Sequence, residues 1–478
     1  MLRLEMPNRL HSVFLYPLLL GAALLSRCAQ GQAPADAPPA PIITAATPLP
    51  WLDSLLTGSP ALARHQVGLS LAYADSTQPF FGYHEQQYFV PASTMKLLSF
   101  YTGLHLLPDS LPSLRYFSRG DTLFFQGTGD PTFLHGDVPS RRAYAFLAQR
   151  PEKLLLYNEL PTAAPYGPSW AWDDYNYYFQ AERGAFPIYG HTVRFYHTPA
   201  VARSKAHPGM PARLRVLPRP FAPLAAAATP EVLASVTDPD IHVRRVQLEN
   251  FFYVLPSAKK WVDEVPFRTS RALLLRLLGD TLRRRVVAGA WQPRPGRDSI
   301  RTLRGLPVDS LYRRMLRVSD NFLAEQLLLM CSTRVGFRDS LSTGRVIRQS
   351  QKDIVNFLPD KPVWVDGSGL SRLNLLTPRA MTALLCRLHQ ELPEPRLLSL
   401  LAAGGGQGTL RKRYTEAGHP WAWAKTGTLT HDLNLCGYVR TKSGRLVAFT
   451  FFNNNHVATS YAVRNEVERV LRQVRERL

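Results

Sequence analysis

Ser93 and Lys96 stand three residues apart in the stretch Pro-Ala-Ser-Thr-Met-Lys-Leu-Leu-Ser-Phe, residues 91–100. On a helix that spacing puts both side chains on one face, close enough for the amine to take the hydroxyl proton. A serine is a poor nucleophile at neutral pH and needs a base beside it. Ser-x-x-Lys supplies one without histidine. Alone the pattern is weak, because a serine N-cap followed by a surface lysine has the same letters. Two later stretches change the weighing: Ser319-Asp320-Asn321 and Lys425-Thr426-Gly427-Thr428. Each part has a use. Ser93 can attack a carbonyl and become acylated. Lys96 can be its base if it is neutral part of the time, and a second cation, Lys425, with partial burial would lower its pKa. Ser319 can pass a proton to a leaving amine. Asn321 can bond a substrate amide and hold Lys96. Lys425, Thr426 and Thr428 offer charge and hydroxyls to a free carboxylate. Gly427 permits close approach of a substrate backbone on an edge strand. Backbone N–H groups of Ser93 and Thr428 are the simplest oxyanion holders.

These residues need elements to hold them. Strand-like segments at 66–73 and 80–83 suggest a hairpin, and the chain after Val90-Pro91 reads as a helix through Leu106. Helices are expected before Ser319, over 321–330, over 377–392, and from an N-cap at Ser270. Residues 363–374 read as a strand running into a glycine loop, and 241–254 as a strand. Strands at 433–439 and 446–452 are joined by a Lys-Ser-Gly turn. A last helix over 460–478 puts Val463, Val467, Val470 and Val474 on one face.

The chain has 478 residues and a net charge of +21, with 45% hydrophobic and 19% charged residues, which is globular composition. The basic residues are spread out. With no zinc-finger or RNA-recognition signature, the charge favours an anionic envelope over nucleic acid. Residues 1–31 read as a secretory signal, and 32–50 as a Pro/Ala-rich linker. Arg27 argues against lipoprotein cleavage before Cys28. Cys331, Cys386 and Cys436 sit in apolar surroundings and show no metal-ligand spacing. No metal and no cofactor is implied. His431, close to the third motif, reads as a turn residue.

The ordered trio is shared by penicillin-binding proteins and class A β-lactamases. From about residue 50 onward the sequence resembles the penicillin-binding protein 4 type of D-alanyl-D-alanine carboxypeptidase/endopeptidase, the S13 peptidase family. More than two hundred residues separate Ser93 from Ser319, where that family carries a large insertion. Asp366-Gly-Ser-Gly-Leu-Ser-Arg372, Gly408-Thr-Leu-Arg411 and Gly127-Thr-Gly-Asp130-Pro also look familial. The resemblance implies an α+β fold: an antiparallel sheet flanked by helices with a large β-rich insertion of two small domains. The divisions expected are 51–110, an insertion over 111–268, and 269–478. It implies a secreted serine DD-peptidase acting on peptidoglycan stem peptides and acylated by β-lactams, associated with the periplasm or envelope. It also implies that Asp174, Phe179 and Arg372 line a pocket for the free end of a diaminopimelate side chain. The competing readings are a β-lactamase or esterase on the same fold, and a wall-binding protein with a decayed site.

Overall fold

The computed structural model describes residues 49–478 apart from 139, 163, 201–211 and 337–339. The expected signal sequence, Cys28 and nearly all of the expected linker lie outside the described residues. The central sheet has six antiparallel strands in the order Ala402–Ala403, Ala422–Leu429, Asp432–Arg440, Leu446–Asn454, Gln66–Tyr73, Phe81–Tyr83. Strand side chains alternate between faces. Leu69, Leu71, Phe449 and Phe451 therefore face one core, while Ala72, Ala448 and Phe452 face another. Because both faces are covered, these strands are almost continuously apolar.

The first core is closed by helices Pro50–Thr57 and Ser460–Arg477. In the latter, Val463, Val467, Val470, Leu471 and Val474 are buried, and Thr459 caps the start by accepting from the Ala462 amide. At about 1.5–3 kcal/mol each, those five side chains are the main reason this helix stays on the sheet. Helices Lys96–Leu106, Val308–Val318, Asn321–Ser332 and Pro378–Glu391 pack on the other face, through residues such as Phe100, Met315, Leu327 and Leu384. Helix Asn321–Ser332 is buried on every side, as a helix apolar all round must be. Glu325 and Gln326 are its charged and amide exceptions.

The inserted chain forms three smaller sheets. A five-stranded mixed sheet has the order Val286–Ala288, Leu154–Tyr157, Thr122–Gly127, Ser110–Arg119, Arg301–Pro307. Two three-stranded sheets centre on Thr192–Thr198 and Phe252–Val254. Phe125, Tyr157, Phe195, Phe221 and Phe252 join them in one apolar core.

Two strand expectations need correction, and the pairing beyond residue 268 adds a third observation. Helix Arg271–Leu282, capped by Ser270, buries Leu274, Leu277 and Leu278 in the insertion's core, and strands Val286–Ala288 and Arg301–Pro307 pair within its sheet. Residues 271–307 thus pack and pair with the chain that follows Ser110, on the far side of the expected division at 268. This was hidden because pairing with strands more than 120 residues earlier leaves no local mark. The single strand expected over 241–254 is two short antiparallel arms, Val243–Arg245 and Phe252–Val254. Residues 363–374 form no strand. Only a bridge joins Val363 to Leu375, and the segment between is wrapped around the Asp366 carboxylate.

Candidate active site

Ser93 lies in a 3-10 turn, Ala92–Met95, that leads directly into helix Lys96–Leu106. The turn begins with Ala92 at φ +50°, a left-handed conformation costly to a residue with a Cβ. Gly369, at φ +76°, lies directly against it: a Cβ there would sit 1.9 Å from the Ala92 carbonyl oxygen. Gly369→Ala is therefore expected to push the turn away and slow acylation of Ser93 at least about tenfold, a loss of the kind ~1 Å misplacements produce. Stopped-flow measurement with a chromogenic β-lactam checks this; an unchanged rate would mean the turn is held elsewhere.

Lys96 Nζ is 2.8 Å from Ser93 Oγ, 2.6 Å from Asn321 Oδ1 and 2.6 Å from the Ser368 carbonyl. A neutral amine has two N–H groups and one lone pair. Protonated, Lys96 donates to all three; neutral, it keeps its two donors for Asn321 and Ser368 and turns its lone pair to the Ser93 hydroxyl. Lys96 is fully buried, and burial lowers its pKa to about 7 against the opposing pull of Asp366, Asp320 and Glu325. Burial, more complete than the partial burial expected, is what lowers the amine's pKa. Since only the neutral amine accepts a proton, acylation of Ser93 is expected to rise as pH increases through about 7 and level off above it. A rate independent of pH from 5 to 9 would remove Lys96 as the base.

The second motif is a corner between two helices. Helix Val308–Val318 ends at Ser319, which takes the left-handed conformation with φ +65°. Asp320 then caps helix Asn321–Ser332, its carboxylate accepting from the Leu323 amide at 3.0 Å. Serine turns the chain, aspartate starts the next helix, and Asn321 occupies the first turn facing Lys96. The Asn321 amide is fixed at both ends: Oδ1 accepts from Lys96, and Nδ2 donates to the Phe179 carbonyl at 3.1 Å.

Lys425, on strand Ala422–Leu429, donates to Ser319 Oγ at 2.8 Å and to the Thr426 carbonyl at 2.5 Å. It is fully buried, and burial first, then Lys96, push its pKa well down. No carboxylate pairs with it among the described residues, so an incoming anion would relieve this site electrostatically. Beyond Ala424 the strand has no partner on its outer side among the described residues, because Ala402–Ala403 is only two residues long. Gly427 allows a close approach, but to protein: a Cβ there would be 2.6 Å from the Pro91 carbonyl oxygen. The edge strand is thereby seated against the Ser93 turn, and Thr428 is left exposed.

Ser93, Lys96, Asn321, Ser319, Lys425, Thr426, Gly427 and Thr428 are thus gathered at one place. The other three candidates are arranged differently. Phe179 meets the site through its backbone carbonyl, while its ring stacks on Tyr177 at 5.3 Å. Arg372 donates to Asp432 Oδ2 at 2.7 Å and to the Thr430 carbonyl at 2.5 Å, tying the Asp366 loop to the hairpin turn that follows the third motif's strand. Asp174 is half-buried, with its carboxyl pushed up by burial and then by Asp173. No ion pair joins Asp174 to Arg372 among the described residues. His431 lies in a turn at φ +67°, its Nδ1 2.9 Å from the His456 carbonyl. Cys331, Cys386 and Cys436 are buried free thiols. Among the described residues no cluster of His, Cys, Asp and Glu is arranged to hold a metal.

The carbonyl of Ser368 and the carboxylate of Glu325 were not singled out in the sequence. Glu325 accepts from the Ser368 amide at 2.8 Å and so sets the carbonyl that Lys96 uses. The signal was there: a glutamate in the apolar run Asn-Phe-Leu-Ala-Glu-Gln-Leu-Leu-Leu-Met, one turn beyond Asn321.

Two lysine–serine pairs on adjoining helix and edge strand define the class in which Ser-x-x-Lys, Ser-Asp-Asn and Lys-Thr-Gly act together. The sequence model of the D-Ala-D-Ala carboxypeptidase 3 (S13) family matches residues 50–477, and the chain belongs to that family. It is 32% identical over 186 residues to carboxypeptidase DacB of Mycolicibacterium smegmatis, covering 37% of this chain and 40% of that protein. It is 30% identical over 156 residues to the D-alanyl-D-alanine carboxypeptidase DacB of Haemophilus influenzae, covering 31% and 32%. The chain thus spans two fifths or less of the length of these curated relatives. The crystal structure of penicillin binding protein 4 from Haemophilus influenzae superposes with a TM-score of 0.68 at 19% identity, over 89% of this chain and 99% of that one. The fold is the α+β fold of that protein.

Proposed function

We propose that the protein is a serine DD-peptidase that hydrolyses D-Ala-D-Ala ends or D-Ala crosslinks of peptidoglycan through an acyl-Ser93 intermediate. The observation that carries this is the environment of Lys96: a buried amine, two fixed acceptors, and its remaining contact on Ser93 Oγ. The Ser93 proton passes to Lys96 as Oγ bonds to the carbonyl carbon. The C–N bond then breaks as the leaving amine is protonated through Ser319, which Lys425 holds. Water later cleaves the acyl ester. A β-lactam carbonyl and its adjacent carboxylate present the same two groups, which supports penicillin sensitivity. One related protein, the Haemophilus influenzae penicillin binding protein 4, has been crystallised with a β-lactam. Intact-mass measurement after incubation with benzylpenicillin tests the reading. An adduct mapped to Ser93 supports it; released hydrolysed drug without an adduct would indicate a β-lactamase, and untouched drug a decayed site.

Secretion to the periplasm or envelope belongs to the same proposal, and it rests on the N-terminal signal. No helix among the described residues is long and apolar enough to cross a membrane. Asp174, Phe179 and Arg372 remain the proposed pocket for a diaminopimelate end. Asp174, raised by burial and with no cation among the causes of its shift in the described residues, would be stabilised by an ammonium group. Asp174→Ala is expected to lower kcat/KM about tenfold on stem peptides with a free diaminopimelate amine, a charge-assisted hydrogen bond being worth about 1.5–3 kcal/mol. On acetylated peptides the loss is expected to be small. Equal losses on both would take Asp174 out of the pocket.

A further inference from the structure

Next to the third motif lies a groove of about 1140 Å³ that none of the steps above uses. Its near end is formed by Thr426 and Thr428, and by Val318 beside Ser319. That is the leaving-group side, because Ser319 protonates the leaving amine and the threonine hydroxyls meet its carboxylate. Small-molecule pockets run to about 300–1,000 Å³, so this groove is far larger than a single released alanine requires.

The far end is basic. Arg411, Lys412 and Arg464 line it, are exposed, and make no ion pair among the described residues. Arg413 beside them is already committed, to Glu468 at 2.8 Å and Asn465 at 2.7 Å. The loop carrying Arg411 and Lys412 is anchored to the helix that presents Ser319. The Thr409 amide donates to the Arg317 carbonyl at 3.1 Å, and Gly408, at φ +103°, is where a Cβ would come within 2.4 Å of that oxygen. The backbone carrying Arg411 and Lys412 is therefore held at a set position relative to Ser319, and Arg464 faces it from helix Ser460–Arg477. This gives a physical use to the Gly408-Thr-Leu-Arg411 stretch.

We infer that Arg411, Lys412 and Arg464 form a second anion subsite, which takes a leaving group built as an acidic peptide with further carboxylates beyond the one at the Thr426–Thr428 hydroxyls. This rests on the acyl-serine reading above and assigns its leaving side to the acidic strand of a crosslink. Exposed cations attract such a strand modestly one by one, and more as a group of three.

The test uses the full chain and the variant Arg411→Gln/Lys412→Gln/Arg464→Gln. The substrates are a D-Ala-linked tetrapeptide dimer and a pentapeptide ending in D-Ala-D-Ala. The ratio of kcat/KM for dimer over pentapeptide is expected to fall about tenfold in the variant, and the salt dependence of dimer cleavage to weaken. In parallel, calorimetry with Ser93→Ala is expected to show the dimer binding about tenfold more tightly than to Ser93→Ala with the three glutamines. An unchanged ratio with unchanged dimer binding overturns the subsite. If wild-type protein forms no adduct on Ser93 yet the binding difference stands, the acyl-serine reading fails and the subsite survives as a binding site. If the binding difference is absent as well, both fall.

Discussion

Lys96→Met is expected to slow acylation of Ser93 by benzylpenicillin by about 10³–10⁴-fold, the upper part of the range for losing a positioned general base. Methionine nearly fills the space of the lysine stem, so the packing of helix Lys96–Leu106 survives. What disappears is the amine that links Ser93, Asn321 and the Ser368 carbonyl. Two buried acceptors then lack a donor, at about 1–3 kcal/mol each, so the melting temperature is expected to drop by several degrees without loss of the fold. The rise of rate through pH 7 should vanish together with the rate. Ser93→Ala should give no adduct at all, with an unchanged circular dichroism spectrum. A Lys96→Met protein acylated within tenfold of the parent rate would show that another group deprotonates Ser93.

The second large effect lies behind the site. Arg183 and Glu325 form a buried ion pair at 3.0 Å, with side chains 3% and 1% exposed. Arg183 also donates to Thr343 Oγ1 and to the carbonyls of Ala164 and Tyr166. Removing one partner of a buried pair costs about 3–5 kcal/mol, because the other charge stays buried. Arg183→Met is expected to lose that much in urea unfolding. The sign of its pH dependence follows from Glu325. Burial already pushes that carboxyl up, and Arg183 is the main opposing influence. Without Arg183 it moves further up, so the folded state holds a proton that the unfolded state has released. Stability of the variant then falls as pH rises from the unfolded carboxylate range into neutrality. Adding Glu325→Gln should recover part of the loss. A single-variant cost below about 1 kcal/mol would mean that water or another cation reaches Glu325.

Much of this was legible in the chain because it is local. The Ser93 to Lys96 spacing, the Ser270 cap and the valine stripe of the last helix each show within one or two turns. What was not legible depends on distant partners. No periodicity reveals that Arg301–Pro307 pairs with Ser110–Arg119. Asp366 looks like a turn residue until its carboxylate is seen to accept from the Gly369 and Ser371 amides, Asn374 and the Trp170 indole. Phe179 was chosen for its ring, and it is its carbonyl that touches Asn321.

The inserted chain reaches the catalytic helices at several points. Ser169 bonds Ser371, Trp170 bonds Asp366, Phe179 bonds Asn321, Arg183 bonds Glu325, and Gln326 donates to the carbonyls of Gly129 and Gly184. These contacts join residues 142–202 positions apart, the kind of closure that forms late because loop entropy must be overcome first. On the acyl-serine reading, a chain that has not yet made its insertion contacts holds Ser93 without the fixed partners of Lys96 and Asn321. Covalent labelling at Ser93 during refolding is therefore expected to lag behind the recovery of secondary structure and to report the docking of the insertion.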